Sequence, residues 1–493
     1  MQAAPRTWPP LFARGSRPRR IWRSLVLGTF LLFPARGEDA LAPLRNHVAA
    51  HPRGRSLFAA DLQHLRRGPQ RDLPIGVFDS GIGGLTVLEA ILKVDLVDNR
   101  TGKPGPDGIP DLAGERFIYL GDQANMPYGS YAAANGTDYL RELILKDVVF
   151  LLGRRYRPAP GAPPRFDKPP VKALVIACNT ATAYGLEDIR AALKGWGLDI
   201  PVIGVVEAGA EAVAELLPAS GAPPSVGVLA TEGTCASGAY PAAIARAAER
   251  LGKTAPLVVQ QGSVGLAGAI EGNPAFFASG VGSRPVAYQG PPWTPEVARA
   301  GGIEAGELLQ GTLNSVKAYV RFDVASLALG LKARHPEAPA LGLVVLGCTH
   351  FPLVEGEIQE AFRRVRTFTE GDGGSPFAQR ILPDPLLVNP ALHTAKALYK
   401  DLSDRQLRRR PRSRAAPAMG GFYFTVPNPG APGVRLGGDG GLENGYRLGR
   451  KPGLLDLEDT CVVPLTARNL PQGSRQLVQS LPSVWKALAG SRR

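Results

Sequence analysis

Two stretches far apart in the chain close in the same way: "ALVIACNTATA" carries Cys178 and "GLVVLGCTHFPL" carries Cys348. Each is a hydrophobic run ending on a small residue, a cysteine and hydrogen-bonding side chains, which puts the thiol at a loop mouth rather than in a core. If a following helix points its N-terminus at the sulfur, the partial positive charge favours thiolate, the form that acts as base or nucleophile. Three chemistries are open to such a pair. One is a disulfide, which an exported chain would allow. Another is a thiol hydrolase, although His350 lies two residues from Cys348 in sequence and is no separately placed partner. The third is symmetric acid–base work, in which one thiolate takes a proton from carbon and a thiol on the opposite face returns one, inverting a stereocentre. Such thiols titrate as a coupled pair, and each direction needs the opposite protonation pattern.

Other polar residues gather at the ends of apolar runs. Asp79-Ser80 in "PIGVFDSGIGGLTVLEAIL", Tyr128-Gly129 in "YLGDQANMPYGS", Asn179-Thr180 and Thr349-His350 offer donors and acceptors where backbone amides are also free. Together they suit the carboxylates and ammonium of an amino acid. Each one alone reads equally well as a turn or helix cap. The glycines after Ser80 do not make a nucleotide loop: "GIGGLT" has Thr86 where a dinucleotide fingerprint needs its last glycine, and no Gly-Lys-Ser/Thr follows. Histidine is scarce, with no HExxH or Cys/His spacing, so no metal is expected in the site. Asp95, Asp98, Asn99, Asp107 and Asp111 are spaced loosely like a calcium loop but miss its pattern, which leaves a solvated loop as the favoured reading.

The elements that position these residues are legible as a rhythm. The runs "PIGVF", "RFIYLG", "VKALVIAC", "PVIGVV", "SVGVLAT", "PLVVQQG", "LGLVVLGC" and "PLLVN" read as strands buried on both faces. Between them "TVLEAIL", "EAGAEAVAELL" and "LVEGEIQEAF" have helical periodicity. The sum is an α/β protein built on parallel sheets, with ligands expected at the carboxyl ends of strands.

At 493 residues with 44% hydrophobic content, the chain can bury real cores in two domains plus extras. The net charge of +14 gathers in Arg-rich ends such as "RGSRPRRIWR" and "RQLRRRPRSR" without interleaved aromatics, so no nucleic-acid partner is inferred. Near the N-terminus, "RPRRIWR" precedes "SLVLGTFLLFPARG" with small residues at Ala35 and Gly37, the layout of an export signal. Its apolar run falls short of the about 20 residues of a spanning helix. Residues 1–37 are therefore expected to be a signal peptide for the periplasm or cell envelope, with no integral membrane segment once it is removed. A cytoplasmic protein is the alternative.

The motifs "VFDSGIGGLTVL", "YLGDQANMPYG", "IACNTATA", "VGVLATEGTCASGAY" and "LGCTHFPLV" occur in the order found in glutamate racemases, and the chain resembles that family over roughly residues 74 to 400. "CTHFPL" looks like the glutamate enzyme rather than the related aspartate racemases. The resemblance implies two pseudo-twofold-related parallel-sheet α/β domains with the active site in the cleft between them. It also implies cofactor-independent interconversion of L- and D-glutamate for peptidoglycan. By motif, Cys178 and Cys348 would be the two acid/bases, each serving one enantiomer, with Asp79 and His350 tuning or assisting them. Asp79, Ser80, Tyr128, Gly129, Asn179, Thr180, Thr349 and His350 would bind substrate. Glu271, in "GAIEGN", matches an acid of the family pattern and would stand behind these. Gln123 stands where the family usually has Thr, and Asn389 where an Asp often follows the last strand. The partner implied is small-molecule glutamate, and a homodimer is compatible with the family. The expected layout is a linker at 38–73, a first domain at 74–206 with a loop insert at 94–114 and completed by 366–403, a second domain at 207–365 with an insert at 273–310, and a C-terminal extension at 404–493 of uncertain order. The rival from another class is an exported, catalytically silent binding protein on the same fold, marked by a Cys178–Cys348 disulfide. A superfamily racemase for another acidic substrate is a further alternative.

Overall fold

The computed structural model describes residues 39–68, 70–277, 288–309, 312–371, 373–409, 418–470 and 472–490. The expected export signal at 1–37 lies outside the described residues. Twelve strands are named here in chain order: β1 (Ile75–Asp79), β2 (Arg116–Gly121), β3 (Ala173–Ile176), β4 (Val202–Gly204), β5 (Ser225–Thr231), β6 (Val258–Ser263), β7 (Leu308–Leu309), β8 (Thr312–Leu313), β9 (Leu341–Gly347), β10 (Ile381–Val388), β11 (Ala418–Pro427) and β12 (Thr460–Pro464). They form a six-stranded sheet in the order β12-β11-β2-β1-β3-β4, a four-stranded sheet in the order β10-β9-β5-β6, and a small β7–β8 hairpin. The four-stranded sheet is parallel throughout, and in the six-stranded sheet only β12 runs antiparallel, at an edge.

All eight apolar runs read from the sequence are strands of these two sheets. In the interior strands side-chain alternation explains the continuous apolar run, which feeds two cores at once, while the edge strands β6 and β10 are partly exposed. In the first sheet Phe78, Ile118, Leu174 and Ile176 pack into the layer on one face, while Val77, Phe117, Tyr119 and Val175 pack into that on the other. In the second sheet Val226, Val228 and Val345 face one layer and Val344 and Leu346 the other. Register then sets the site. Phe78 pairs with Ile176 and Asp79 with Gly121, so Asp79 and Cys178 leave neighbouring strand ends. In the second sheet Ala230 pairs with Gly347, so Thr231 and Cys348 do the same.

Three boundary expectations are corrected. Residues 38–73 are not a linker: the helix Ala42–Ala50 buries Leu44 and Val48 in the first core, and the indole of Trp196 donates to the Arg45 carbonyl at 3.1 Å. The spacing of Leu41, Leu44 and Val48 is that of an apolar helix face, overshadowed in the sequence by the arginines around it. The segment 366–403, expected to complete the first domain, divides: β10 pairs in parallel with β9 of the second sheet, whereas the helix Pro390–Asp404 buries Ala391, Ala395 and Leu398 in the first sheet's core. The extension 404–493 is ordered over most of its length and supplies β11 and β12, whose Phe422, Phe424 and Val463 enter the first sheet's core.

The loop 94–114 has an isolated bridge, Val97 with Pro104, and no longer strand. Its carboxylates brace their own turns: Asp95 accepts from the amides of Asp107 and Gly108, Asp98 from those of Arg100 and Thr101, and Asp111 from those of Leu96 and Val97. Among the described residues no helix is long and apolar enough to cross a membrane.

Candidate active site

Asp79 ends β1 fully buried, and its carboxylate accepts the Gly81 amide at 3.0 Å. Burial raises its pKa above the usual carboxylate value, against the pull of the His350 charge and the Gly81 and Gly84 amides. The turn behind it is tight, since the Tyr119 hydroxyl donates to the Gly81 carbonyl at 2.8 Å. On the next strand end, Cys178 caps the helix Asn179–Gly195. Its sulfur accepts the Ala181 amide at 3.4 Å and lies 3.6 Å from the Ser80 hydroxyl, to which the thiol donates. Burial first, and the neighbouring Asp79 carboxyl second, push the Cys178 thiol up and hold it protonated.

Across the seam Cys348 leaves β9 with a different partner. Its sulfur is 3.7 Å from His350 Nδ1, and His350 Nε2 is 2.7 Å from Glu271 Oε1. Burial works against a charged imidazole here, but the hydrogen bonds to Cys348 and Glu271 and the negative charge of Glu271 outweigh it, raising the His350 pKa well above its ordinary value. A charged His350 then donates from both nitrogens, one proton facing the Cys348 sulfur and the other facing Glu271. One thiol thus sits beside a carboxyl and the other beside an imidazolium.

Several contacts draw the lobes together. Gly83 packs so closely on the β9 loop that a methyl there would overlap the His350 ring and stand 2.6 Å from Thr349 Oγ1, and Thr86 donates to the Thr349 carbonyl at 2.9 Å. The glycines of "GIGG" therefore serve a close approach of backbone to the opposite lobe. Elsewhere Thr180 Oγ1 lies 3.1 Å from Thr231 Oγ1 and 3.0 Å from Thr234 Oγ1, and the Tyr240 hydroxyl donates to Asn179 Oδ1 at 2.6 Å. A methyl on Gly233 would stand 2.9 Å from the Gly129 Cα and carbonyl oxygen.

The expected residues Asp79, Ser80, Cys178, Asn179, Thr180, Cys348, Thr349, His350 and Glu271 all lie on this seam, Gly129 among them through its backbone. Tyr128 differs: its hydroxyl is taken up 2.6 Å from Asp122 Oδ2 and 2.8 Å from Asp147 Oδ2. Burial, then Asp122, raises the Asp147 pKa well above the carboxylate range. A protonated Asp147 can give its proton to the Tyr128 oxygen while Tyr128 gives its own to Asp122. Sequence reasoning missed Thr231, Thr234 and Tyr240, although all three lie in "ATEGTCASGAY"; hydroxyls after a strand were the available signal. Cys178 and Cys348 are each 6% exposed, so both thiols are largely closed off from solvent. A separate cavity of about 70 Å³, lined by Phe58, Asp122, Tyr139, Asp147, Arg155 and Thr425 among others, touches neither thiol. All four cysteines are free thiols. Among the described residues no three His, Cys, Asp or Glu side chains are grouped to hold a metal ion.

Residues 158–274 match the model of the family described as Asp/Glu/Hydantoin racemase. A glutamate racemase of Oceanobacillus iheyensis is 31% identical over 289 residues, 59% of this chain and 71% of its own length. Another, of Pediococcus pentosaceus, is 28% identical over 334 residues, 68% of this chain and 83% of its own. Among solved structures, a glutamate racemase isoform of Bacillus anthracis aligns with 71% of this chain and 88% of its own at 22% identity and a TM-score of 0.42.

Proposed function

The chain belongs to the aspartate/glutamate racemase family, and from that premise we propose that it interconverts L- and D-glutamate by a two-base mechanism with Cys178 and Cys348, using no cofactor. The D-glutamate so formed would serve peptidoglycan synthesis. The observation that carries the reading is the pair of thiols, one on each lobe, with an acid–base partner of opposite character beside each. In one direction Cys348, with His350 in contact, takes the α-proton while the thiol of Cys178 returns one to the opposite face. In the reverse direction the roles exchange: the Cys178 thiol first gives its proton to the ionised Asp79 carboxylate, whose raised pKa favours holding it, and the thiolate so formed takes the α-proton while the thiol of Cys348 returns one. The hydroxyls and amides of Ser80, Asn179, Thr180 and Thr349 supply the contacts a substrate carboxylate needs once the lobes open.

Circular dichroism of L-glutamate incubated with the full chain, beside L-aspartate, tests the substrate. The expected outcome is decay of the glutamate signal to zero at equal L and D, with aspartate unchanged on the same timescale. A persistent glutamate signal contradicts the proposal, and decay of aspartate alone assigns another acidic substrate.

A further inference from the structure

The C-terminal segment reaches the loop 121–129, which carries Tyr128 and Gly129, from behind. Thr425 on β11 accepts the Ala124 amide at 2.9 Å and donates to Asp122 Oδ1 at 2.7 Å. The same carboxylate takes both contacts of the Asn125 amide, at 2.7 and 3.0 Å, and the Tyr128 hydroxyl at 2.6 Å. Arg450, buried and paired with Asp459 at 2.7 Å, donates to Asn125 Oδ1, while Arg447 donates to the carbonyls of Asn125 at 3.3 Å and Pro127 at 3.5 Å. The Asp122 amide donates to the Asp79 carbonyl at 2.9 Å, joining this net to the strand end that holds the Asp79 carboxylate. On its far side the loop places Gly129 against Thr231 and Gly233 of the other lobe.

A loop of this length, left to its own contacts, samples many arrangements. Here its one carboxylate, the buried Asp122, is satisfied jointly, by two of its own side chains and by one hydroxyl from a strand some 300 residues away in sequence. We propose that Thr425 and Arg450 are positioning residues: the β11–β12 pair and the segment 443–450 set the geometry of the Tyr128-Gly129 loop, and through it the fit of the acidic substrate between the lobes. This rests on the racemase reading above. Neither residue touches the thiols, so the effect falls on substrate fit more than on proton transfer.

The test compares Thr425→Ala, Thr425→Ser and Val426→Ala in the full chain, by steady-state racemisation and by hydrogen exchange of the amides at 121–129. Val426 is on the same strand and faces the other way along it, so its truncation weakens the sheet without touching the loop. Thr425→Ala should raise KM roughly ten-fold or more, with kcat moved less, because it takes one of three partners from the buried Asp122 carboxylate and removes the acceptor of the Ala124 amide, and loop exchange should quicken. Thr425→Ser should restore both readouts, and Val426→Ala should lower Tm while leaving both in place. Wild-type KM and exchange in Thr425→Ala, or an equal KM change in Val426→Ala, overturns the proposal. If Thr425→Ala does not fold, Arg450→Gln carries the same comparison. Absence of activity in the wild-type chain counts against the racemase reading, and the exchange measurement then still decides whether Thr425 holds the loop.

Discussion

At the scale of single residues, the two thiols differ in what stands next to them. Cys178 shares its surroundings with Asp79 and is held as a thiol, whereas Cys348 faces an imidazole that Glu271 keeps charged. Glu271 acts through His350, so removing its charge should show in pH dependence as well as in rate. For Glu271→Gln we expect a loss of roughly ten-fold or more in kcat/KM, from a charge-assisted hydrogen bond worth about 1.5–3 kcal/mol. A histidine whose folded pKa is raised stabilises the fold fully below its unfolded value of about 6.5, and that stability is lost as pH rises through the folded value. The stability gap between wild type and Glu271→Gln should therefore be widest below about pH 6.5 and close at higher pH. Urea titrations at several pH values measure it, and a gap that widens with pH would contradict the assignment. Asp79, Cys178, Cys348 and His350 could be placed at strand ends from the sequence because each follows an apolar run that reads as a strand. The part played by Thr231, Thr234 and Tyr240 was not legible, because a threonine or tyrosine near a helix start is common, and only the opposite lobe reveals what it touches.

At the scale of elements, the seam is built from glycines as much as from side chains. Gly233 meets the backbone of Gly129, which cannot rotate aside as a flexible side chain would. Gly233→Ala should therefore keep the lobes from closing fully: overpacking of this kind costs about 1–3 kcal/mol, and we expect roughly a ten-fold or greater fall in kcat/KM. Steady-state racemisation with far-UV circular dichroism as a check on folding reads this out, and an unchanged kcat/KM in a folded variant would show that closure at Gly129 is dispensable. The strands that carry the site were readable because both of their faces are apolar. β11 and β12 were not, since they follow the Arg-rich 404–417 stretch and the second is short, with half-buried and buried positions alternating. β10 was read as a strand in a segment assigned to the first domain but pairs at the edge of the second sheet, because an apolar run does not say which neighbour it pairs with.

At the scale of the whole molecule, the chain folds back on itself so that its early and late segments support the central sheets. Lys172, just before β3, is buried with Glu115 at 2.6 Å and also donates to the carbonyls of Arg71 and Leu407, tying three distant parts of the chain to the first sheet. Burial lowers the Lys172 pKa and raises that of Glu115, each against the attraction of the other, so the pair specifies an arrangement more than it adds stability. No window of sequence announces such a tie, because its members are apart in the chain and ordinary in type. What the two sheets achieve is to bring one thiol from each to a common seam, and the account stands on both thiols moving protons. The most direct measurement follows solvent deuterium into the α-position of L- and of D-glutamate with Cys178→Ser and Cys348→Ser. Each variant should lose racemisation by roughly 100-fold or more, on the scale of general acid–base contributions, while one still exchanges the α-hydrogen of L-glutamate and the other that of D-glutamate. Undiminished racemisation in either variant would contradict the two-thiol mechanism.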